Sequence, residues 1–312
     1  MKISPLCPLT GRPAIHCVQS VSVNALTKAW KLACGAEVEG LFTNKTQISL
    51  YESDTGLMFF HPTAEGDELF YEKFYKSYQV LKRLDNFSLE RNEYLQAAKF
   101  VKPGDNVLDV GCGNAQFFAH ISHSSYTGLD LYSSASGESP RVLNESVELH
   151  AKSFAGHYDV VTAFQVIEHV AEPLAFARKL GELLKPGGIL ILSAPLHPSP
   201  QIDIPNYLLN FPPHHLTWWT ASAFKALADA LAMQAISIAE LPYSPHEALA
   251  YWMHRFSFKK VSKHRPVRYF SHRWSVYLSL LLSYFLATLA AKIWPKPKKA
   301  LPTNIVMITQ KE

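Results

Sequence analysis

The sequence predicts an α/β protein organised around a doubly wound, mostly parallel sheet, and three stretches predict it. An apolar run from Asn106 to Val110 ends in Gly111 and Gly113, the pattern of a buried strand that turns abruptly into a helix. A second apolar strand, Tyr126 to Leu131, carries an acid, Asp130, near its end. Further on, a helix stops at Pro186-Gly187-Gly188 and feeds the continuous apolar run Ile189 to Leu192. That run is long enough for a strand covered on both faces.

The first two stretches carry chemistry. Glycine permits positive φ and lets a ligand approach the backbone, and a helix N-terminus offers free N–H groups to an anion. Taken alone, a G-x-G is as readily an ordinary tight βα turn. Asp109 inside the strand end and Asp130 about twenty residues on shift the reading, because that is where a carboxylate receives ribose hydroxyls in a βαβ nucleoside site. A dinucleotide fingerprint wants a third glycine where Gln116 stands. Gln116 therefore speaks against a pyrophosphate.

The segment VLDVGCGNAQF, residues 107–117, resembles motif I of class I S-adenosylmethionine-dependent methyltransferases. Three further segments follow in that family's order: residues 158–173, with Glu168-His169 before Pro173; Leu184-Lys185-Pro186-Gly187-Gly188; and Phe211-Pro212-Pro213-His214-His215 up to Thr220. The resemblance implies a seven-stranded sheet whose last two strands, here 232–241 and 304–309, pair antiparallel. It implies S-adenosylmethionine as cofactor, with Asp109, Gly111, Cys112 and Gly113 around its methionyl part. Asp130, with Leu131 after it, would hold the ribose, and Gln165 would lie beside the cofactor. Ala115 stands where many members have glycine. Ser146 to His150 reads as the third strand, and Lys152-Ser153-Phe154 after it supplies no acid for the adenine.

On the acceptor side, the candidate catalytic residues are His169, His214 and His215. Histidine titrates near neutral pH and serves as a general base. Each also has a plainer reading: His169 as a helix-start histidine bonded to backbone, His214 and His215 as residues that shape the loop before a helix at Thr220.

Residues 1–68 read as short strands and turns punctuated by Pro and Gly, forming a small β module. Cys7-Pro8-Leu9-Thr10-Gly11 and the stretch 50–62 resemble the two knuckles of a zinc ribbon carried by some of these methyltransferases. Thr10, Glu52 and Thr55 replace three of the four thiolates, and structural zinc needs four good ligands. We therefore expect a degenerate ribbon and no metal. Cys7, Cys17, Cys34 and Cys112 show no disulfide spacing, which suits a reducing compartment, and the chain opens on no apolar targeting run. Residues 69–100 read as a helical lid, with Leu69, Phe70, Phe74, Tyr78 and Leu81 at helical steps. Tyr71, Tyr75 and Tyr78 form a stripe that either packs in the core or meets cofactor or substrate.

The methyltransferase domain is expected over 101–243 plus 301–312, and 244–300 is an insertion between its last two strands. That insertion holds eleven Lys or Arg against Glu247 alone. It thus carries +10 in a chain of net +4, leaving −6 elsewhere. Inside it, Trp274 to Ala291 runs without a charge, which is the lower bound for a membrane span. A single crossing would separate two paired strands, so the expectation is a helix lying on the membrane surface, with residues 255–299 as the contact. A re-entrant hairpin and a buried lid are the alternatives. Lipid explains the basic residues better than nucleic acid, which is not expected as a partner. The acceptor expected is a glycan, a lipid-linked sugar or another envelope-associated molecule, met on the cytoplasmic side. Two rivals accompany this reading: a nicotinamide oxidoreductase on the same topology, and a non-catalytic scaffold.

Overall fold

The structure is a computed structural model and describes residues 4–82, 91–132, 140–244, 247–261, 268–294 and 301–312; within 75–82 only the side chain of Lys76 is described. Tyr75, Tyr78 and Leu81 therefore lie, as side chains, outside the described residues. So do Ser133 to Ser139 and five of the eleven basic positions of the insertion.

The main sheet is built from β4 (Asn106–Val110), β5 (Ser125–Leu129), β6 (Arg141–Leu143), β7 (Tyr158–Phe164), β8 (Leu184–Pro195), β10 (Gln234–Leu241) and β11 (Asn304–Gln310). Its order is β10-β11-β8-β7-β4-β5-β6. The pairs β4–β5, β4–β7, β5–β6 and β7–β8 are parallel, and β11 runs antiparallel to both β8 and β10. Strand order reverses at β4, between β5 and β7, and in open α/β sheets ligands bind outside the strand ends at such a switch point. Leu108, Val161, Leu190 and Ile191 are fully buried, as expected of strands covered on both faces.

Two expectations change in this domain. Residues 146–150 are not a strand. Ser146 caps α4 (Val147–Phe154), its Oγ accepting from Leu149 N–H at 3.3 Å, and the third strand is β6. A Ser N-cap followed by an acid in the first turn is a helix start, and it outweighs the strand-like Val-Glu-Leu-His alternation. The glycine loop also leads into a short 3-10 turn, Gln116–His120, and not into an α-helix.

The smaller sheet has the order β1-β2-β3-β9: β1 (His16–Ser22), β2 (Gln47–Glu52), β3 (Met58–His61) and β9 (Thr217–Trp218). All its pairs are antiparallel. Its fourth strand comes from the loop after β8, so the N-terminal module is stitched to the P-P-H-H segment. It also contains a helix, α1 (Val23–Cys34), where only strands and turns were expected. Leu26 and Trp30, one turn apart, face its core, and Gly35 ends it with φ 68°. Both ribbon-like turns are present. Leu9 N–H points at Cys7 Sγ (3.4 Å), and Gly56 N–H closes on Ser53 C=O (3.0 Å). An ion pair, Arg12 to Asp54 at 2.6 Å, links the two turns.

Residues 68–98 hold α2 (Glu68–Lys82) and α3 (Asn92–Ala98). α5 (Pro173–Leu183) starts on Pro173, where the missing N–H is not needed, and α6 (Ala221–Leu231) is capped by Thr220. The insertion holds α7 (Ala248–Phe256) and α8 (Trp274–Ile293), which pack against each other. By length and composition alone, α8 is apolar enough to cross a membrane. Its two ends, however, lead back to β10 and β11, which pair from Gln234–Gln310 to Leu241–Asn304.

Candidate active site

The site lies at the carboxyl ends of β4, β5 and β7. Gly111 has φ 72° and Gly113 φ 54°. A Cβ on Gly111 would stand 2.4 Å from Val166 Cγ2, whereas a Cβ on Gly113 would meet nothing within 4 Å. Gly111 is therefore a glycine because protein crowds it, whereas at Gly113 no atom of the described residues would meet an added Cβ. Gly111 and Cys112 N–H groups both point at Leu129 C=O, at 2.7 and 3.2 Å, which pins the loop to β5. Cys112 is buried against Gly128, and burial pushes its thiol up to about 12, so it is no nucleophile at neutral pH.

Asp109 is only 2% exposed. Its carboxylate accepts from Thr162 Oγ1 (2.8 Å) on β7 and from Tyr126 OH (2.9 Å) on β5, which braces the three central strands beneath the loop. Burial raises it to about 6 despite those two donors. Asp130, just past β5, accepts from Gly113 N–H and Tyr132 N–H, both at 2.8 Å. It is half-buried, and Leu131 beside it is exposed. Gln165 follows β7 with φ 57°, a conformation that an L side chain holds at a cost of about 1 kcal/mol or more. Its amide reaches towards Ser193 Oγ and Asn304 Oδ1, at 3.4 Å each. The strained turn carries the chain straight into Val166, against Gly111, and on to Glu168 and His169. A left-handed glycine turn at Gly111 to Gly113, a carboxylate at the end of the next strand and a turned side chain at the end of β7 fit a nucleoside cofactor with an amino-acid tail.

The three candidate histidines converge. His169 lies in a 3-10 turn, Ile167–His169, and His214 and His215 lie in the loop that leads to β9. Ring centroids are 4.5 Å apart for His169–His214, 4.9 Å for His169–His215 and 4.6 Å for His214–His215. His169 Nδ1 is 2.6 Å from His214 C=O, and His214 Nδ1 is 3.0 Å from Leu209 C=O. Burial lowers His169 to about 4 and holds His214 and His215 well below the usual range, so all three are neutral imidazoles at pH 7. Of the three, only His169 keeps an edge towards solvent.

Reading the sequence for acids and bases left Glu168 out of the candidate set, and a tyrosine of the stripe also adjoins this cluster. Glu168 is 1% exposed, and among the described residues neither carboxylate oxygen has a hydrogen-bond partner. Its Oε1 stands 3.7 Å from His169 Nε2 and 4.0 Å from His215 Nε2, and burial raises it to about 8. Tyr71 of α2, one of the stripe tyrosines, packs its ring 5.5 Å from Tyr132 and 6.3 Å from His169. α2 thus reaches from the Asp130 side of the cleft to the histidines. The signal for Glu168 was its place at the end of β7; the signal for Tyr71 was the stripe itself.

Residues 81–238 match a family model described as a methyltransferase domain. The ubiquinone biosynthesis O-methyltransferase of Escherichia coli O127:H6 is 37% identical over 102 residues, a stretch covering 29% of this chain and 42% of that one. The chain thus spans less than half the length of the curated relatives it matches. Among solved structures, 1,6-didemethyltoxoflavin-N1-methyltransferase from Burkholderia thailandensis overlaps 85% of this chain and 95% of its own, at 14% identity and a TM-score of 0.49. A SAM-dependent methyltransferase from Archaeoglobus fulgidus overlaps 75% and 99%, at 15% identity and a TM-score of 0.48.

Proposed function

The chain belongs to the class I S-adenosylmethionine-dependent methyltransferases, and from that premise we propose that it methylates a small acceptor at a membrane surface: a glycan, a lipid-linked sugar or another envelope-associated molecule. The family sets aside the oxidoreductase, and transfer of a labelled methyl group would set aside a non-catalytic scaffold. S-adenosylmethionine, when bound, supplies a methyl group already activated by its sulfonium.

The residues of this chain divide the remaining work. Asp130 and the glycine turn at Gly113 hold the cofactor's ribose and amino-acid tail, Gln165 closes the far side, and Asp109 keeps the loop in place from below. The rim formed by Leu131, Tyr132 and Tyr71 covers the cleft and excludes water. The acceptor meets the cluster of His169, His214, His215 and Glu168, where the neutral imidazole of His169, when no ion is bound, takes up the proton that the acceptor loses. Alignment of nucleophile and methyl carbon is the larger contribution, since fixing two reactants in line removes much of a bimolecular barrier.

One observation carries the choice of acceptor. α8 turns Ser279, Ser283, Ala287 and Ala290 inward and leaves Leu278, Leu281, Leu282, Phe285, Leu286 and Leu289 on its outer face, Leu281 at 67% and Phe285 at 64% exposure. An outer face of that kind on a helix flanked by Lys and Arg suits the headgroup boundary of an anionic bilayer. The relative's name, a ubiquinone biosynthesis enzyme that methylates oxygen, supports an oxygen nucleophile. Locating the work at the cytoplasmic face belongs to the same proposal.

Flotation with liposomes tests it. The protein should float with vesicles containing phosphatidylglycerol and leave them as salt rises, because screening shortens the reach of the basic flanks. Methyl transfer from labelled S-adenosylmethionine should then appear in the lipid fraction of an envelope extract and be absent from the soluble fraction. Label confined to soluble metabolites, with no flotation, would overturn the acceptor class while leaving the methyltransferase assignment untouched.

A further inference from the structure

We propose that His169, His214 and His215 bind a divalent transition-metal ion, with the buried carboxylate of Glu168 beside them. The inference rests on the reading of this cluster as the acceptor side only for its catalytic consequence; ion binding itself does not depend on that reading.

Four observations lead there. Each histidine offers one ligand atom, and the three atoms lie within 4.8 Å of one another. Zinc–nitrogen bonds of about 2.0–2.1 Å then require the donors to draw in by only a fraction of an ångström each. Second, the carbonyls of His214 and Leu209 engage Nδ1 of His169 and of His214. A carbonyl accepts, so each Nδ1 carries the proton and each Nε2 keeps its lone pair. Binding one ring nitrogen's proton to backbone is how ligating histidines are oriented elsewhere. Third, Glu168 is buried without a partner for either oxygen, and Nδ1 of His215 also lacks one. Buried polar atoms are nearly always satisfied, and a cation at the imidazoles would give the nearby Glu168 carboxylate, 3.7 Å from His169 Nε2, the counter-charge it lacks. Fourth, the donor set itself, three imidazoles, suits zinc, cobalt, nickel or copper and not magnesium or calcium.

The placement gives such an ion a purpose. His169 belongs to the end of β7, whereas His214 and His215 belong to the loop that runs into β9, and β9 pairs with β3 of the N-terminal sheet. An ion at the three histidines would fasten that sheet to the cofactor domain. The ribbon-like turns, with Cys7 as the one remaining thiolate, cannot do this with a metal of their own. The edge of His169 that faces the cleft leaves the ion within reach of an acceptor oxygen.

The test uses the full-length chain, stripped with chelator and dialysed against zinc or cobalt. Elemental analysis should find one zinc per chain, and the melting temperature should rise by several degrees with the ion. Cobalt should give visible absorption of four- or five-coordinate intensity without a thiolate charge-transfer band. His214→Asn and His215→Asn should lose the ion, while Cys7→Ser, Cys17→Ser and Cys34→Ser should keep it. If either histidine variant fails to fold, the wild-type cobalt spectrum still decides the matter. Folded wild-type protein that takes up no zinc, or a cobalt spectrum with a thiolate band, overturns the inference. Calorimetry with S-adenosylmethionine on the same samples separates the two readings: cofactor binding without metal ends this proposal alone.

Discussion

A methyl group on Gly111 has nowhere to go, since Val166 already occupies the space where a Cβ would stand and the backbone is left-handed there. Gly111→Ala should push Val166 and the turn at Gln165 out of place and weaken S-adenosylmethionine binding at least tenfold by calorimetry. Asp130→Ala removes the acceptor for the ribose and releases Gly113 N–H, and should weaken binding by roughly 1–3 kcal/mol, the scale of a charged hydrogen bond. Wild-type affinity in both variants, with the fold intact, would show that the cofactor lies elsewhere. The sequence made these two residues legible because a glycine pair and an acid at a fixed spacing have few other uses. Gln165 was harder to read: its type and place were visible, but the left-handed φ that turns it was not. Ala115 also sits at φ 52°, a left-handed backbone that glycine would hold at no steric cost. Glu168 stood in plain view, but its isolation from every donor is a property of packing and has no sequence signature.

Among the elements, strands were easier to read than the short helices. Buried parallel strands announce themselves by unbroken apolar runs, whereas α1 and α4 are short, amphipathic and begin on serines that also read as turn residues. Ser146→Ala tests the reassignment at α4. Loss of the Oγ that accepts from Leu149 N–H should lower stability by about 1 kcal/mol, measured by urea unfolding, and a strand at that place would show no such loss. α8 makes the opposite demand. Leu281→Asp with Phe285→Asp should abolish flotation on anionic vesicles, yet leave the melting temperature unchanged or higher, because neither side chain packs against the protein. A large loss of stability would mean that a protein surface covers this face.

At the scale of the whole molecule, the topology was readable because four motifs fall in order along one chain. The pairing of β9 with β3 was not, since two residues carry no periodicity. The insertion couples to the sheet through Glu247, whose carboxylate accepts from Ser244 N–H at 2.6 Å and from Asn304 Nδ2 at 3.0 Å. Burial raises it to about 7, from an ordinary value of 4.5. A carboxyl whose folded pKa is raised holds its proton longer in the folded state. Its contribution to stability is therefore greatest below pH 4.5 and falls as pH climbs from there to about 7. Glu247→Gln cannot titrate, so the difference in unfolding free energy between variant and wild type should shift in the variant's favour across that window. The shift should be on the order of 2–4 kcal/mol, read from melts at pH 5 and pH 8. A difference that does not change with pH would mean that Glu247 is ionised in the folded protein throughout.

The position of β11 has a consequence for the order in which the chain acquires its shape. β11 is the strand that fills the gap between β8 and β10, yet it follows both in sequence, beyond the whole basic insertion. As the polypeptide leaves the ribosome, β8 is paired only with β7 and β10 with no strand, and each presents an open edge to other chains. The apolar helix emerges during the same interval. A nascent chain of this kind is at its most aggregation-prone just before its final strand arrives, and a membrane surface that takes up α8 at that moment would shelter it. Ribosome-bound chains stalled after Trp294 should therefore resist protease poorly in free solution and better when anionic vesicles are present. Release of residues 304–310 should confer full resistance in a single step.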